Sequence, residues 1–182
     1  LQFECHFRHF LVPSVRGGGE GSKKHYCGAL EREGKLVLVF KGMESARSDW
    51  TALAKEFQHE LCRRVFTGEP VEGYIMATVR GVREGKVDEK LVYRKRLRKD
   101  VSEYTANVPP HVQAARLLEE PGREVRYCIT VDGPQPVQKL TAAMDYEHYV
   151  ESQLKPIADT LLELVGLSFD RIVGGQQDLF AS

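Results

Sequence analysis

Apolar positions along the chain fall into two regimes, short runs bounded by glycine turns up to about residue 48 and helical spacing after it. Phe3, Phe7, Phe10, Leu11 and Val12 end at Pro13, so residues 3–15 read as a buried strand that runs into the turn Gly17-Gly18-Gly19-Glu20-Gly21. Residues 26–30 and 35–40 then predict a β-hairpin turned by Glu33-Gly34 and ended by Lys41-Gly42. Ser48-Asp49 supply N-cap chemistry for a helix on which Trp50, Leu53, Ala54, Phe57, Leu61 and Val65 recur on one face until Gly68. Pro70 opens a second helix with Val71, Tyr74, Ile75, Val79 and Val82 as its inner stripe until Gly85. The two helices are expected to pack as an antiparallel hairpin.

The remainder is mixed. Leu91-Val92-Tyr93 is extended, residues 102–104 form a helical turn, and Asn107-Val108-Pro109-Pro110 leads into a helix over 111–119. Val125, Tyr127, Ile129 and Val131 alternate with Arg126, Cys128, Thr130 and Asp132, a half-exposed strand closed by Asp132-Gly133-Pro134. Asp145 caps a long helix through Val165, which Pro156 must kink or restart. Residues 174–182 are polar and glycine-led, a tail expected to hang free. The fold class is therefore α+β: a β-hairpin sheet, then a mainly helical part with a few short strands.

Composition alters this picture only through its distribution. At 182 residues, 42% apolar and 29% charged, the chain has the make-up of a globular protein, and its net charge is zero. Yet residues 1–100 hold 20 Lys/Arg against 14 Asp/Glu, while residues 101–182 hold 6 against 12. One half can face phosphate while the other repels it. No apolar run is long enough to span a membrane, and the start at Leu1 without a leader pattern suggests a piece of something longer.

Four scattered cysteines, Cys5, Cys27, Cys62 and Cys128, fit neither a zinc ribbon nor a disulfide scaffold and read as buried free thiols in a cytoplasmic protein. His6 and His9 beside Cys5 would face opposite ways on a strand, which argues against a metal corner.

Candidate chemistry is about binding. No paired carboxylates, nucleophile elbow, P-loop or H-E-x-x-H motif occurs, so no catalytic or metal-binding residue is assigned and no cofactor is expected in this chain. Lys23 and Lys24 lie between the glycine turn and the hairpin. They are either a solvated strand start or, pointing to opposite faces, a phosphate contact beside Tyr26. Residues 94–99 place Arg94, Lys95, Arg96, Arg98 and Lys99 around Leu97, flanked by Tyr93 and Tyr104; such a run is a solvated face or a track for a nucleic-acid backbone. His111 follows two prolines at a helix start, where it can donate to phosphate or simply cap. Gln176, Leu179 and Phe180 put a large apolar pair on the polar tail, suited to an external pocket or to folding back on the last helix.

Several of these segments together resemble the C-terminal part of family B DNA polymerases. Gly21-Ser22-Lys23-Lys24-His25-Tyr26 resembles the family's K-K-R-Y motif, and residues 39–50 its K-G-x-E-x-x-R-x-D segment. Leu91 to Leu97 with Tyr104 and Pro109-Pro110-His111-Val112-Gln113-Ala114-Ala115 resembles the K-R-L…Y…P-H-V-x-A-A pattern. Asp145-Tyr146-Glu147-His148-Tyr149 with Gln153-Leu154-Lys155-Pro156 resembles D-x-x-Y-Y…Q-L-x-P.

The resemblance implies palm strands over 1–48, a thumb over 49–173, and a tail over 174–182. It implies that Lys23, Lys24 and Tyr26 touch a primer–template duplex near the primer end, and that Arg94, Lys95, Arg96, Arg98, Lys99, Tyr104 and His111 hold its phosphates. Minor-groove acceptors are alike for every base pair, which suits an enzyme that must not read sequence. Gln176, Leu179 and Phe180 resemble a peptide that docks on the bacterial sliding clamp. The alternative is an interaction module acting mainly through that tail. The parent enzyme would use Mg2+ on carboxylates upstream, would be cytoplasmic and nucleoid-associated, and would not polymerise through this chain alone. Uncovered palm strands expose this piece to non-physiological dimerisation. Two departures stand out: His25 where the family often has Arg, and Gln177 where strong clamp peptides carry Leu.

Overall fold

The computed structural model describes residues 7–12, 26–43 and 50–175. A first antiparallel sheet has the order β1-β2-β3, with β1 at His9–Leu11, β2 at Tyr26–Arg32 and β3 at Lys35–Lys41. The hairpin turns where expected, because Glu33 and Gly34 both take positive φ (52° and 72°), the conformation a two-residue hairpin turn needs. β1 is a short edge strand rather than a buried one: Leu11 is buried, but Phe10 is 55% exposed. Phe7 lies over Gly28, whose missing Cβ would sit 2.4 Å from the Phe7 ring.

Helix α1 spans Ala52–Thr67 and buries Leu53, Ala54, Phe57, Leu61 and Cys62. Its N-cap is Thr51, whose side chain accepts from the Ala54 N–H; Ser48 and Asp49, the expected caps, lie outside the described residues. Gly68 closes it in the left-handed conformation (φ 69°). Helix α2, Glu72–Arg83, buries Ile75, Val79 and Val82. The expected α1–α2 hairpin is not the main packing. α1 lies chiefly on α5 (Lys155–Leu162), and α2 on α6 (Phe169–Gly174) and α4 (Tyr146–Tyr149). α1 and α2 do meet through Phe57 stacked on Tyr74 and Arg64 over the Tyr74 ring. The C-terminal helices win because they bring Leu154, Ile157, Leu161, Leu162 and Phe169, all essentially buried, against those inner stripes.

A second antiparallel sheet, order β4-β5-β6, combines Tyr93–Arg96, Glu124–Thr130 and Gly133–Pro136. β6 was not expected, since Pro134 and Pro136 argue against a strand; as an edge strand it gives away only outward N–H groups. Helix α3, Pro110–Ala115, packs on β5 and β6 and ends earlier than the predicted 119.

The long helix from Asp145 does restart at Pro156. Asp145 caps α4 by accepting from the His148 N–H. A π-turn over Val150–Leu154, with the Lys155 N–H bonded to the Val150 carbonyl, then hands over to α5. Proline has no N–H and crowds the preceding turn, so a widened turn just before it is the local solution. Helix α6, also unexpected, starts at Ser168, whose side chain accepts from the Arg171 N–H. Cys27, Cys62 and Cys128 are buried free thiols. The first sheet meets α1 through His9 stacked on Phe66 and Phe40 tilted on His59.

Candidate nucleic-acid interface

Strand β4 exists because Leu91 and Tyr93 seek the core and the residues after them alternate. Tyr93 is buried and stacks on Tyr127 and Tyr149. Alternation then sends Arg94 and Arg96 to the exposed face and half-buries Lys95 on the other. The predicted basic run is therefore not one surface. Pairing with β5 sets Arg94 opposite Arg126 and Arg96 opposite Glu124. Two arginines directly across a ladder repel, and among the described residues neither forms an ion pair.

Arg98 and Lys99 continue into a loop organised by Tyr104. The Arg98 N–H donates to the Tyr104 hydroxyl (3.2 Å), and the Lys99 ammonium sits 4.7 Å from the ring centroid while donating to the Glu103 carbonyl (2.7 Å). Arg116 donates to the Tyr104 carbonyl (2.7 Å), and His111 meets the ring edge-on at 6.4 Å. Burial, helped by nearby Lys95, holds His111 below its ordinary pKa, so it is neutral at pH 7.

An open groove of about 580 Å³ runs beside this loop, lined by Arg96, Arg98, Lys99 and Arg123 together with Leu97, Val101 and Pro121. Its one acid, Asp100, is engaged by Ser102, which donates to it from both N–H and hydroxyl; that engagement holds its carboxyl below the usual range. Against this one ionised carboxylate stand the four cations Arg96, Arg98, Lys99 and Arg123, so the groove's net charge is positive.

Arg123 and Arg126 were not singled out from the sequence. Arg126 was visible only as the polar half of the β5 alternation, and its place beside Arg94 needed the register. Tyr26 belongs to a separate cluster in the first sheet, within 6.0 Å of Phe7 and 5.1 Å of Phe10 between ring centroids. Lys23, Lys24, Gln176, Leu179 and Phe180 lie outside the described residues. No group of three or more potential metal-ligating side chains occurs among the described residues, and no described helix is long and apolar enough to cross a membrane.

Behind the basic strands, Tyr93 Oη lies 3.0 Å from His148 Nε2. Burial lowers the His148 pKa, partly offset by Asp145. A histidine whose folded pKa is depressed contributes stability that is complete above its unfolded value, near pH 6.5, and is lost as pH falls through the folded value. Thermal unfolding followed from about pH 8 to 5 is expected to show this loss, and His148→Phe to reduce it. His111 adds to it with the same sign, so a His148→Phe slope unchanged from the parent would remove His148 from the account.

A family model described as DNA polymerase family B matches residues 21–163. The chain is 42% identical to DNA polymerase II of Escherichia coli (strain K12), over 99% of its own length and 24% of the relative's. DNA polymerase 2 of Aeropyrum pernix is 36% identical, over 85% of this chain and 21% of that protein. The family B DNA polymerase structure from Pyrobaculum calidifontis superposes with a TM-score of 0.68 at 25% identity, covering 92% of this chain and 23% of that one. The chain thus spans about a quarter of the length of these relatives.

Proposed function

The chain belongs to DNA polymerase family B, and on that premise we propose that it is the palm edge and thumb of such an enzyme, gripping a primer–template duplex without reading its sequence. Residues 1–48 are the palm edge, 49–173 the thumb and 174–182 the tail. The observation that carries this reading is the excess of cations, Arg94, Arg96, Arg98, Lys99, Arg123 and Arg126 against Glu124 and Asp100, spread over two strands and the groove beside them. Guanidinium and ammonium groups without acidic partners neutralise phosphates and release their counterions, an interaction indifferent to base sequence. Tyr104 and His111 position that loop, and Lys95 lies behind the strand.

Lys23, Lys24 and Tyr26 act near the primer end. The tail residues Gln176, Leu179 and Phe180 dock on the bacterial sliding clamp, which raises the local concentration of the enzyme at DNA. Nucleotide addition, with its Mg2+, belongs to carboxylates of the longer enzyme.

Duplex binding by this chain is expected to weaken steeply with salt. Lys23→Ala with Lys24→Ala should lower the slope of log K against log salt by up to about two. Affinity that does not change with salt would defeat the reading.

A further inference from the structure

Helix α1 begins with half of a capping box. Thr51 accepts from the Ala54 N–H through Oγ1 (3.2 Å), but the reciprocal acceptor for the Thr51 N–H is ordinarily a Glu or Gln three residues on, and Ala54 stands there. The acceptor arrives from 102 residues along the chain. Gln153 Oε1 lies 3.2 Å from the Thr51 nitrogen and 2.8 Å from its hydroxyl oxygen. Thr51 is fully buried and Gln153 is only 5% exposed, so solvent is not at hand to replace the bond. The start of α1 is conditional on where Gln153 sits.

Gln153 sits in the π-turn, and the turn before it grips the second sheet. Tyr149 accepts from the Ile129 N–H on β5 (2.8 Å) and stacks on Tyr93 of β4 (5.6 Å), while His148 meets the Tyr93 hydroxyl. One rod therefore holds, at one end, the point where the chain enters the helical part. At the other it holds the two strands that carry Arg94 and Arg126. A π-turn costs helical regularity; here it lets Tyr149, Val150, Gln153 and Leu154 all face inward.

We propose that Gln153 is a positioning residue: by completing the capping box of α1 from a distance, it sets the basic strand pair β4–β5 relative to the entrance of the helical part. The affinity arm of its test rests on the duplex-binding reading; the exchange arm does not.

The test uses the full chain with Gln153→Leu, which keeps the volume and removes the acceptor, and Gln153→Glu, whose carboxyl, kept protonated by burial, retains an acceptor for both Thr51 bonds. Gln153→Leu is expected to lower duplex affinity about tenfold, with Gln153→Glu close to the parent. Thr51→Val combined with Gln153→Leu should weaken binding no further than the stronger single variant. Independently of DNA, the Leu97 N–H, bonded to the Arg123 carbonyl at 2.9 Å, should exchange faster in Gln153→Leu. Should Gln153→Leu prove unfolded, Gln153→Glu and Thr51→Val carry the comparison: Thr51→Val is then expected to speed Leu97 exchange and Gln153→Glu not to. A variant that melts earlier yet keeps parental affinity and parental Leu97 exchange would reduce Gln153 to a plain helix cap and overturn the proposal. A parent chain that fails to bind duplex would defeat the interface reading, while Leu97 exchange would still decide the role of Gln153.

Discussion

Replacing Arg94, Arg96, Arg123 and Arg126 together by alanine is expected to lower affinity for a primer–template duplex by at least about a hundredfold near 0.1 M salt, and to flatten the salt slope by up to about four. The size follows from the number of cations removed, since each phosphate neutralised releases roughly one counterion. The fold should survive, because Arg94, Arg96 and Arg126 project from the exposed faces of β4 and β5, and among the described residues none of the four forms a salt bridge. A sharper version is Arg94→Glu alone. Set opposite Arg126, it converts a repulsive cross-strand pair into an attractive one, so thermal stability should rise slightly while duplex binding falls. Stability and function moving in opposite directions is a signature that nonspecific damage cannot produce. Anisotropy titrations at several salt concentrations, with melting curves, read both. An unchanged slope in the quadruple variant would place the duplex elsewhere on the protein.

Tyr149→Ala is expected to be the most damaging single substitution to stability, at about 3–5 kcal/mol, the range for deleting a large buried aromatic. Tyr149 is fully buried, stacks on Tyr93, and its hydroxyl satisfies the Ile129 N–H. Tyr149→Phe separates the two contributions: it keeps the stack and strands one N–H, for a cost of about 1–3 kcal/mol. Burial drives the phenol's pKa well above its ordinary value, so no alkaline titration of Tyr149 is expected while the fold lasts. Chemical denaturation of the three proteins gives the comparison directly. Equal losses for Phe and Ala would mean that the hydrogen bond, not the ring, secures this corner.

Much of the architecture was legible in the residues. Gly34 and Gly68 take the left-handed conformation that few other residues tolerate, Asp145 supplies a side-chain cap, and the structure uses all three as expected. The collinear family motifs made the family itself legible. Other features escaped for identifiable reasons. β6 hides behind two prolines that only an edge position permits. α6 is six residues long, too short for its periodicity to register. The N-cap of α1 is Thr51, and the acceptor for its N–H, Gln153, lies 102 residues away, beyond the reach of any local motif. The basic run, continuous in sequence, is divided by the pleat, and Arg126 joins it only across the ladder.

The division between the two kinds of knowledge is physical. Turns, helix faces and the excess of cations before residue 100 depend on neighbours within a few positions, and the chain by itself determined them. Which helix faces which, which arginines stand side by side, and which glutamine completes a helix 102 residues away depend on burial and pairing between distant segments. Those were decided only when the C-terminal helices brought their apolar faces onto α1 and α2, because only there does the apolar area removed from water discriminate among partners that local propensity leaves equivalent.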